Sequence, residues 1–185
     1  MKTLILNGSP HANGDTAALL NALKEKLQGD VVEVNCYRAK ISPCTDCHYC
    51  QKYPGCAIDD EMQSLYPVIE SCDRVIIATP VYFSEPTPPV LSVCSRLQTY
   101  FCASFFRKSP VSIAPKKGGI VLVGGGSGSA APAEATVRRL LRAMKCKEIG
   151  PVAASLKTDH VRASEDADAI ASAKALAAWL NEGSV

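Results

Sequence analysis

The 185-residue sequence predicts an α/β fold, a five-stranded parallel sheet doubly wound with helices on both faces. Three observations lead there. Five short apolar runs alternate with stretches of helical period. One run, RVIIATP (74–80), is apolar without alternation, as a central parallel strand buried on both faces must be. The loops after the first, third and fourth runs are rich in glycine, proline, serine or threonine. Such sheets bind ligands outside the carboxyl ends of their strands, where those loops lie.

The elements follow in order. KTLILN (2–7) is the first strand and ends in the turn GSPHANG. A helix opens near Asp15 or Thr16, with Ala17, Leu19, Leu20, Leu23 and Leu27 on one apolar face. VVEVNCY (31–37) alternates as the second strand, and a cysteine-rich loop spans 41–58. The next helix runs from about Asp59 to Ser71, with Asp59, Asp60 and Glu61 stacked at its positive end. RVIIATP is the third strand, broken at Pro80, and VYFSEPTPP leads into a helix near 89–106. GGIVLVGGG (118–126) is the fourth strand, and the helix after it aligns Val137, Leu140, Leu141 and Met144. A weak fifth strand lies near 148–155. Ser164 is expected to cap a last helix carrying Ile170, Ala173, Ala177 and Leu180 in register. Residues 1–185 read as one domain with a single core.

Composition narrows the function classes. A net charge of +2, with no basic run longer than a pair, argues against nucleic acid or an anionic membrane as partner. No apolar run approaches the roughly 18 residues that cross a bilayer, and the N-terminus lacks the apolar core of a signal peptide. A cytoplasmic location is expected. In that reducing setting a tight cysteine cluster is more often metal-binding or catalytic than a disulfide framework.

The three loops 8–16, 80–86 and 124–131 should converge on one pocket. In GSPHANGDT the glycines permit tight turns, and the helix behind offers unpaired N–H groups at its positive end. Ser9, Asn13 and Thr16 add neutral donors, which together suit a phosphate; no lysine of the nucleoside-triphosphate loop is present. Tyr82 and Phe83, in TPVYF, fall where a planar ring could lie. A G-x-G-x-x-A string at 126–131 mimics a dinucleotide fingerprint. It follows the fourth strand rather than the first, so the better reading is close approach of a flat ligand to the backbone.

At these residues the sequence resembles the flavodoxin-like NAD(P)H-dependent FMN reductases. LNGSPHANGDTAALL is similar to their phosphate loop, ATPVYF to their flavin-ring loop and VLVGGGSGS to their third flavin loop. The resemblance covers residues 1–150 and implies FMN. Ser9, His11, Asn13, Asp15 and Thr16 would surround the phosphate. Pro80, Val81, Tyr82 and Phe83 would contact the isoalloxazine ring, with Gly125 and Gly126 on its other edge. His11 stands where the family has arginine, and Asp15 where it has asparagine. A carboxylate beside a phosphate is unfavourable, so Asp15 is expected to cap the helix with its side chain turned away.

Four cysteines, Cys44, Cys47, Cys50 and Cys56, are spaced C-x2-C-x2-C-x5-C. Four thiolates satisfy a [4Fe–4S] cluster or zinc; a Cys44–Cys47 dithiol or plain packing are the other readings. His48 reads as a solvent-facing neighbour, and Cys36, Cys72, Cys94, Cys102 and Cys146 as core. The spacing, followed by AIDDEM, resembles the iron–sulfur flavoproteins, a branch of the same fold. That resemblance implies a cluster on the four cysteines, electron transfer between a small-molecule or protein donor and an acceptor, and a homodimer or homotetramer. NAD(P)H is a possible donor. A cluster-free FMN or quinone reductase and a non-catalytic docking module are the alternatives.

Overall fold

The computed structural model describes residues 1–183. In chain order it contains β1 (Lys2–Asn7), α1 (Asp15–Lys24), β2 (Asp30–Asn35), α2 (Tyr49–Lys52), α3 (Met62–Ser71), β3 (Arg74–Tyr82) and β4 (Glu85–Pro86). These are followed by α4 (Pro88–Ser95), α5 (Gln98–Phe105), β5 (Lys116–Val123), α6 (Ala131–Ala143), β6 (Cys146–Ser155) and α7 (Ala167–Asn181). Five strands pair in parallel in the order β2-β1-β3-β5-β6, and the two-residue β4 folds back antiparallel on β3. This is the flavodoxin-like doubly wound sheet.

The pleat distributes the strand side chains between two cores. Leu4, Leu6, Val75, Ile77, Ile120 and Leu122 pack with α3, α4 and α6 on one face. Ile5, Ile76, Ala78, Val121 and Val123 point the other way, against α1 and α7. Because the residue period of a strand is two, neighbours in sequence serve opposite cores, and the central runs need apolar residues at every position.

Several details differ from the sequence reading; the third strand does not break at Pro80 but runs on to Tyr82, where β4 pairs with it. The helix near 89–106 is two helices, α4 and α5, separated at Arg96 and Leu97. The strand read as 118–126 ends at Val123, leaving Gly124–Gly126 as loop. Asp166, not Ser164, caps α7, its Oδ1 accepting from the Ala169 N–H at 3.0 Å. The predicted 59–71 helix begins at Met62, and the Asp60 carboxylate accepts from the Met62 N–H at 3.0 Å.

The amino-terminal edge of the sheet buries three cations. Lys116 and Lys117 start β5 and are 1% and 6% exposed, and Arg74 starts β3. Their donors go to carbonyls at helix ends: Lys116 Nζ to Ile69, and Lys117 Nζ to Trp179 and Glu182, both at 3.0 Å. Arg74 Nη1 reaches the Gln28 carbonyl beyond α1 at 3.1 Å. Helix carboxyl ends carry partial negative charge, which these cations meet.

Candidate functional site

Strands β1, β3 and β5 are neighbours, so their carboxyl-end loops lie side by side. The first loop is tied to the second at Gly8. Its N–H donates to the Ala78 carbonyl at 2.7 Å, and its carbonyl accepts from Thr87 Oγ1 at 2.8 Å. A Cβ on Gly8 would stand 2.3 Å from Val90 Cγ2 and 2.7 Å from Thr87 Oγ1, so only glycine fits there. The second loop meets the third where Gly124 packs on Val81 and Gly128 on Ser84.

Within the first loop, Ser9 is buried; its N–H donates to Asn7 Oδ1 at 2.9 Å and its carbonyl accepts from Asn35 Nδ2 at 3.0 Å. Thr16 is buried in the first turn of α1, whereas His11 and Asn13 are exposed at the loop's rim. Gly14 occupies the N-cap position and no side chain caps the helix. The first-turn N–H groups of α1 are thus left without a side-chain acceptor, as an anion site requires.

Asp15 is turned away from the loop, as its sequence context predicts, but it caps nothing. Its Oδ1 accepts from Arg162 Nε at 3.0 Å and from the Ala163 N–H at 2.9 Å. Partial burial works against the charged form, but the Ala163 N–H and the Arg162 guanidinium outweigh it and hold the carboxyl below its usual range.

The sequence reading missed this fourth loop, residues 156–166 after β6. The Thr158 N–H donates to the Gly124 carbonyl at 3.1 Å, and Gly125 lies against Asp159. Nothing in LKTDHVRAS signals its place, because it is held by Gly124 of the third loop and by Asp15 of α1, the latter more than 140 residues away in sequence.

Pro80 and Val81 are half-buried at the end of β3, and Tyr82 and Phe83 are exposed. Tyr82 pairs with Glu85 across a two-residue turn whose central residues, Phe83 and Ser84, have φ of 50° and 64°. Two positive φ values make the primed turn that hairpins favour, but asparagine and glycine are its usual residues. A phenylalanine there is strained, and its ring is wholly in water. Tyr37, after β2, lies beside Tyr82; burial and the Tyr82 hydroxyl together push its phenol up. Gly125 and Gly126 are exposed, Gly126 with φ of 76°.

The cysteine loop packs elsewhere, on α4 and α5. Cys44, Cys47, Cys50 and Cys56 all border one cavity of about 220 Å³, together with Cys102 and Phe101 of α5. Cys102 is a fifth thiol that the sequence reading left in the core; it is buried yet opens on this cavity. All nine cysteines are free thiols. Burial, then the neighbouring Cys102, pushes the Cys50 thiol up to about 11. Asp46 and His48 have φ of 51° and 61°, and His48 faces solvent, where its Nε2 lies 3.4 Å from Asp46. Among the described residues, no three Cys, His, Asp or Glu side chains converge as a single metal ion requires.

The NADPH-dependent FMN reductase profile matches residues 1–161. The chain belongs to the NADPH-dependent FMN reductase family. Within it, the chain is 34% identical over 129 residues to an iron-sulfur flavoprotein of Methanocaldococcus jannaschii, covering 68% of this chain and 62% of that protein. It is 28% identical over 153 residues to an iron-sulfur flavoprotein of Archaeoglobus fulgidus, covering 81% and 66%. The chain thus spans less than two thirds of the length of these curated relatives. Among solved structures, the NAD(P)H:quinone oxidoreductase of Methanothermobacter marburgensis superposes with a TM-score of 0.77 at 15% identity, covering 100% of this chain and 98% of that one. The azoreductase AzrA does so at 0.70 and 14% identity, covering 99% and 100%. Both share the fold.

Proposed function

We propose that this FMN reductase-family chain is an FMN-dependent oxidoreductase in which electrons also pass through a [4Fe–4S] cluster. The observation that carries the flavin reading is the uncapped start of α1, closed in by loops from β1, β3 and β5 in a family defined by FMN reduction. Ser9, Asn13 and Thr16 would donate to the phosphate, with the α1 N–H groups and His11 at the rim. Asp15, engaged by Arg162, would stay out of its way. Pro80, Val81, Tyr82 and Phe83 would flank the ring, opposite Gly125 and Gly126. FMN held by these residues would supply the capacity to accept a hydride from a donor such as NAD(P)H and to release electrons singly or in pairs.

The cysteine loop fits a cluster better than one ion. A four-iron cube presents its coordination positions at separate corners, and the four thiols border a cavity rather than a point. A cluster on Cys44, Cys47, Cys50 and Cys56 would pass single electrons. The names of the archaeal relatives support the assignment. Phe101, Phe105 and Phe106 are half-exposed and in mutual contact beside the cavity, which supports assembly with a second copy. That assembly would carry one subunit's electrons towards another's flavin. The chain's single-domain reading and its donor and acceptor belong to the same proposal.

Iron, acid-labile sulfide and zinc per FMN, measured on protein purified without oxygen, test it. About four iron and four sulfide per chain are expected. Flavin with no iron would leave a cluster-free NAD(P)H-dependent FMN or quinone reductase. Absence of flavin would leave a docking module.

A further inference from the structure

The cysteine loop is held shut at its neck by one buried side chain. Arg96 lies at the break between α4 and α5, and its side chain is fully buried. Nη1 donates to the Ser42 carbonyl at 2.9 Å and to Asp60 Oδ2 at 2.7 Å, and Nη2 donates to the Ile58 carbonyl at 3.1 Å. Ser42 stands two residues before Cys44, and Ile58 two residues after Cys56. One planar fork therefore joins the two ends of the segment that carries all four thiols, a geometry that a lysine point charge does not reproduce.

Asp60 works with it: besides Arg96, it accepts from the Ser42 N–H at 2.9 Å and the Met62 N–H at 3.0 Å. Gln63 Nε2 adds bonds to the Cys56 and Ile58 carbonyls at 3.0 and 2.7 Å. Three of the five Arg96 guanidinium N–H groups are used in the bonds to Ser42, Asp60 and Ile58. Arg96 Nε is buried with no partner. A buried N–H without an acceptor is costly and calls for an explanation. The Cys56 thiol lies near the guanidinium and the Tyr66 hydroxyl, though Nε does not bond to it here, and that hydroxyl donates to the Arg96 carbonyl at 3.0 Å.

We propose that Arg96 is a positioning residue for the iron–sulfur cluster, closing the neck of the cysteine loop and giving its Nε–H to the Cys56 sulfur when the cluster is bound. The inference rests on the cluster reading above. A cluster held by four thiolates is net negative, and its reduction adds a further negative charge. A buried guanidinium bonded to one ligand sulfur favours the reduced form and raises the potential. It also keeps the loop folded before iron enters, so the loop does not have to be ordered at each loading.

The test uses the whole chain, purified without oxygen, as wild type, Arg96→Met, Arg96→Lys and Asp60→Asn. Iron and sulfide per FMN and the cluster midpoint potential from a redox titration are read for each. Arg96→Met should keep FMN, lose more than half of its iron, and shift the potential of the remaining clusters to a more negative value. Arg96→Lys should keep more iron, with a smaller negative shift. Asp60→Asn loosens the same neck but removes a negative charge and leaves the guanidinium, so its potential should stay or move positive. A merely structural staple would move the Arg96 and Asp60 variants in the same direction, and that result overturns the proposal, as does Arg96→Met with unchanged iron and potential. If Arg96→Met fails to fold and retains no FMN, the opposed shifts of Arg96→Lys and Asp60→Asn decide. A wild-type protein with flavin but no iron would remove the cluster reading itself; iron in the wild type with no response in the variants removes only the role of Arg96.

Discussion

The phosphate loop and the cysteine loop are supported in opposite ways. Residues 8–16 are fixed by backbone and by neighbouring strands: Gly8 to Ala78, Thr87 to Gly8, Asn35 to Ser9. Its place follows from strand order alone. Residues 41–58 contain only the four-residue α2 and depend on side chains from other elements. Ser95 Oγ accepts from the Cys44 N–H at 2.9 Å, Thr99 Oγ1 donates to the Gly55 carbonyl at 3.0 Å, and Arg107 donates to the Cys50 carbonyl. Arg96 holds the neck. A loop at a strand end comes with the fold, whereas an excursion from it must be braced residue by residue.

Substitutions can break the comparison from either side. The largest effect should come from Cys47→Ser: bound iron is lost entirely and FMN is kept, read as iron per flavin. Wild-type iron in that variant would remove Cys47 from the ligand set. Gly8→Ala attacks the other loop, where the new methyl would meet Val90 and Thr87. Overpacking of this kind costs about 1–3 kcal/mol. A fall of several degrees in thermal midpoint, with flavin released during purification, is the expected outcome. Thr16→Ala and Asn13→Ala should each weaken FMN binding by about tenfold, the worth of one hydrogen bond to a charged group. Fluorescence titration of the apoprotein with FMN measures this, and unchanged affinity in both would refute the phosphate-loop assignment.

Two smaller effects sharpen the contrast. Arg162→Ala should weaken FMN by a few-fold, because Asp15 would then face the phosphate unpaired; the loss should shrink at high salt, as for any exposed charge. The smallest effect concerns acid. The Asp15 carboxyl is held low in the folded protein, so its contribution to stability is complete above the unfolded value of about 3.9 and is lost as pH falls through the folded value. The thermal midpoints of wild type and Asp15→Asn should differ at neutral pH and converge as pH falls through the lowered folded value.

What could be read in advance divides along the same line. The alternation of strands and helices, the central strand buried on both faces and the three pocket loops follow from apolar runs and turn residues, which are local signals. Arg96 could not be recognised, because in PPVLSVCSRLQTYF it sits in what looks like one unbroken helix. Its partners Ser42 and Ile58 are also far from it in sequence. The α4–α5 break, the Asp15–Arg162 pair and the opening of Cys102 towards the other cysteines were hidden for the same reason: each depends on two distant segments meeting. The replacement of Ser164 by Asp166 as cap is a nearer miss, since both residues suit the role and only the entry angle of α7 chooses between them.

The lysines that open β5 give the sheet an internal clock. Lys116 and Lys117 are shut away from water at the amino-terminal edge of the sheet, their amines occupied by helix carbonyls. An amine-acylating reagent would modify surface lysines at once and these two only when the ends of α3 and α7 part from the start of β5. The rate at which the pair becomes labelled, followed by mass spectrometry, would report how often this edge of the sheet opens, with no probe introduced.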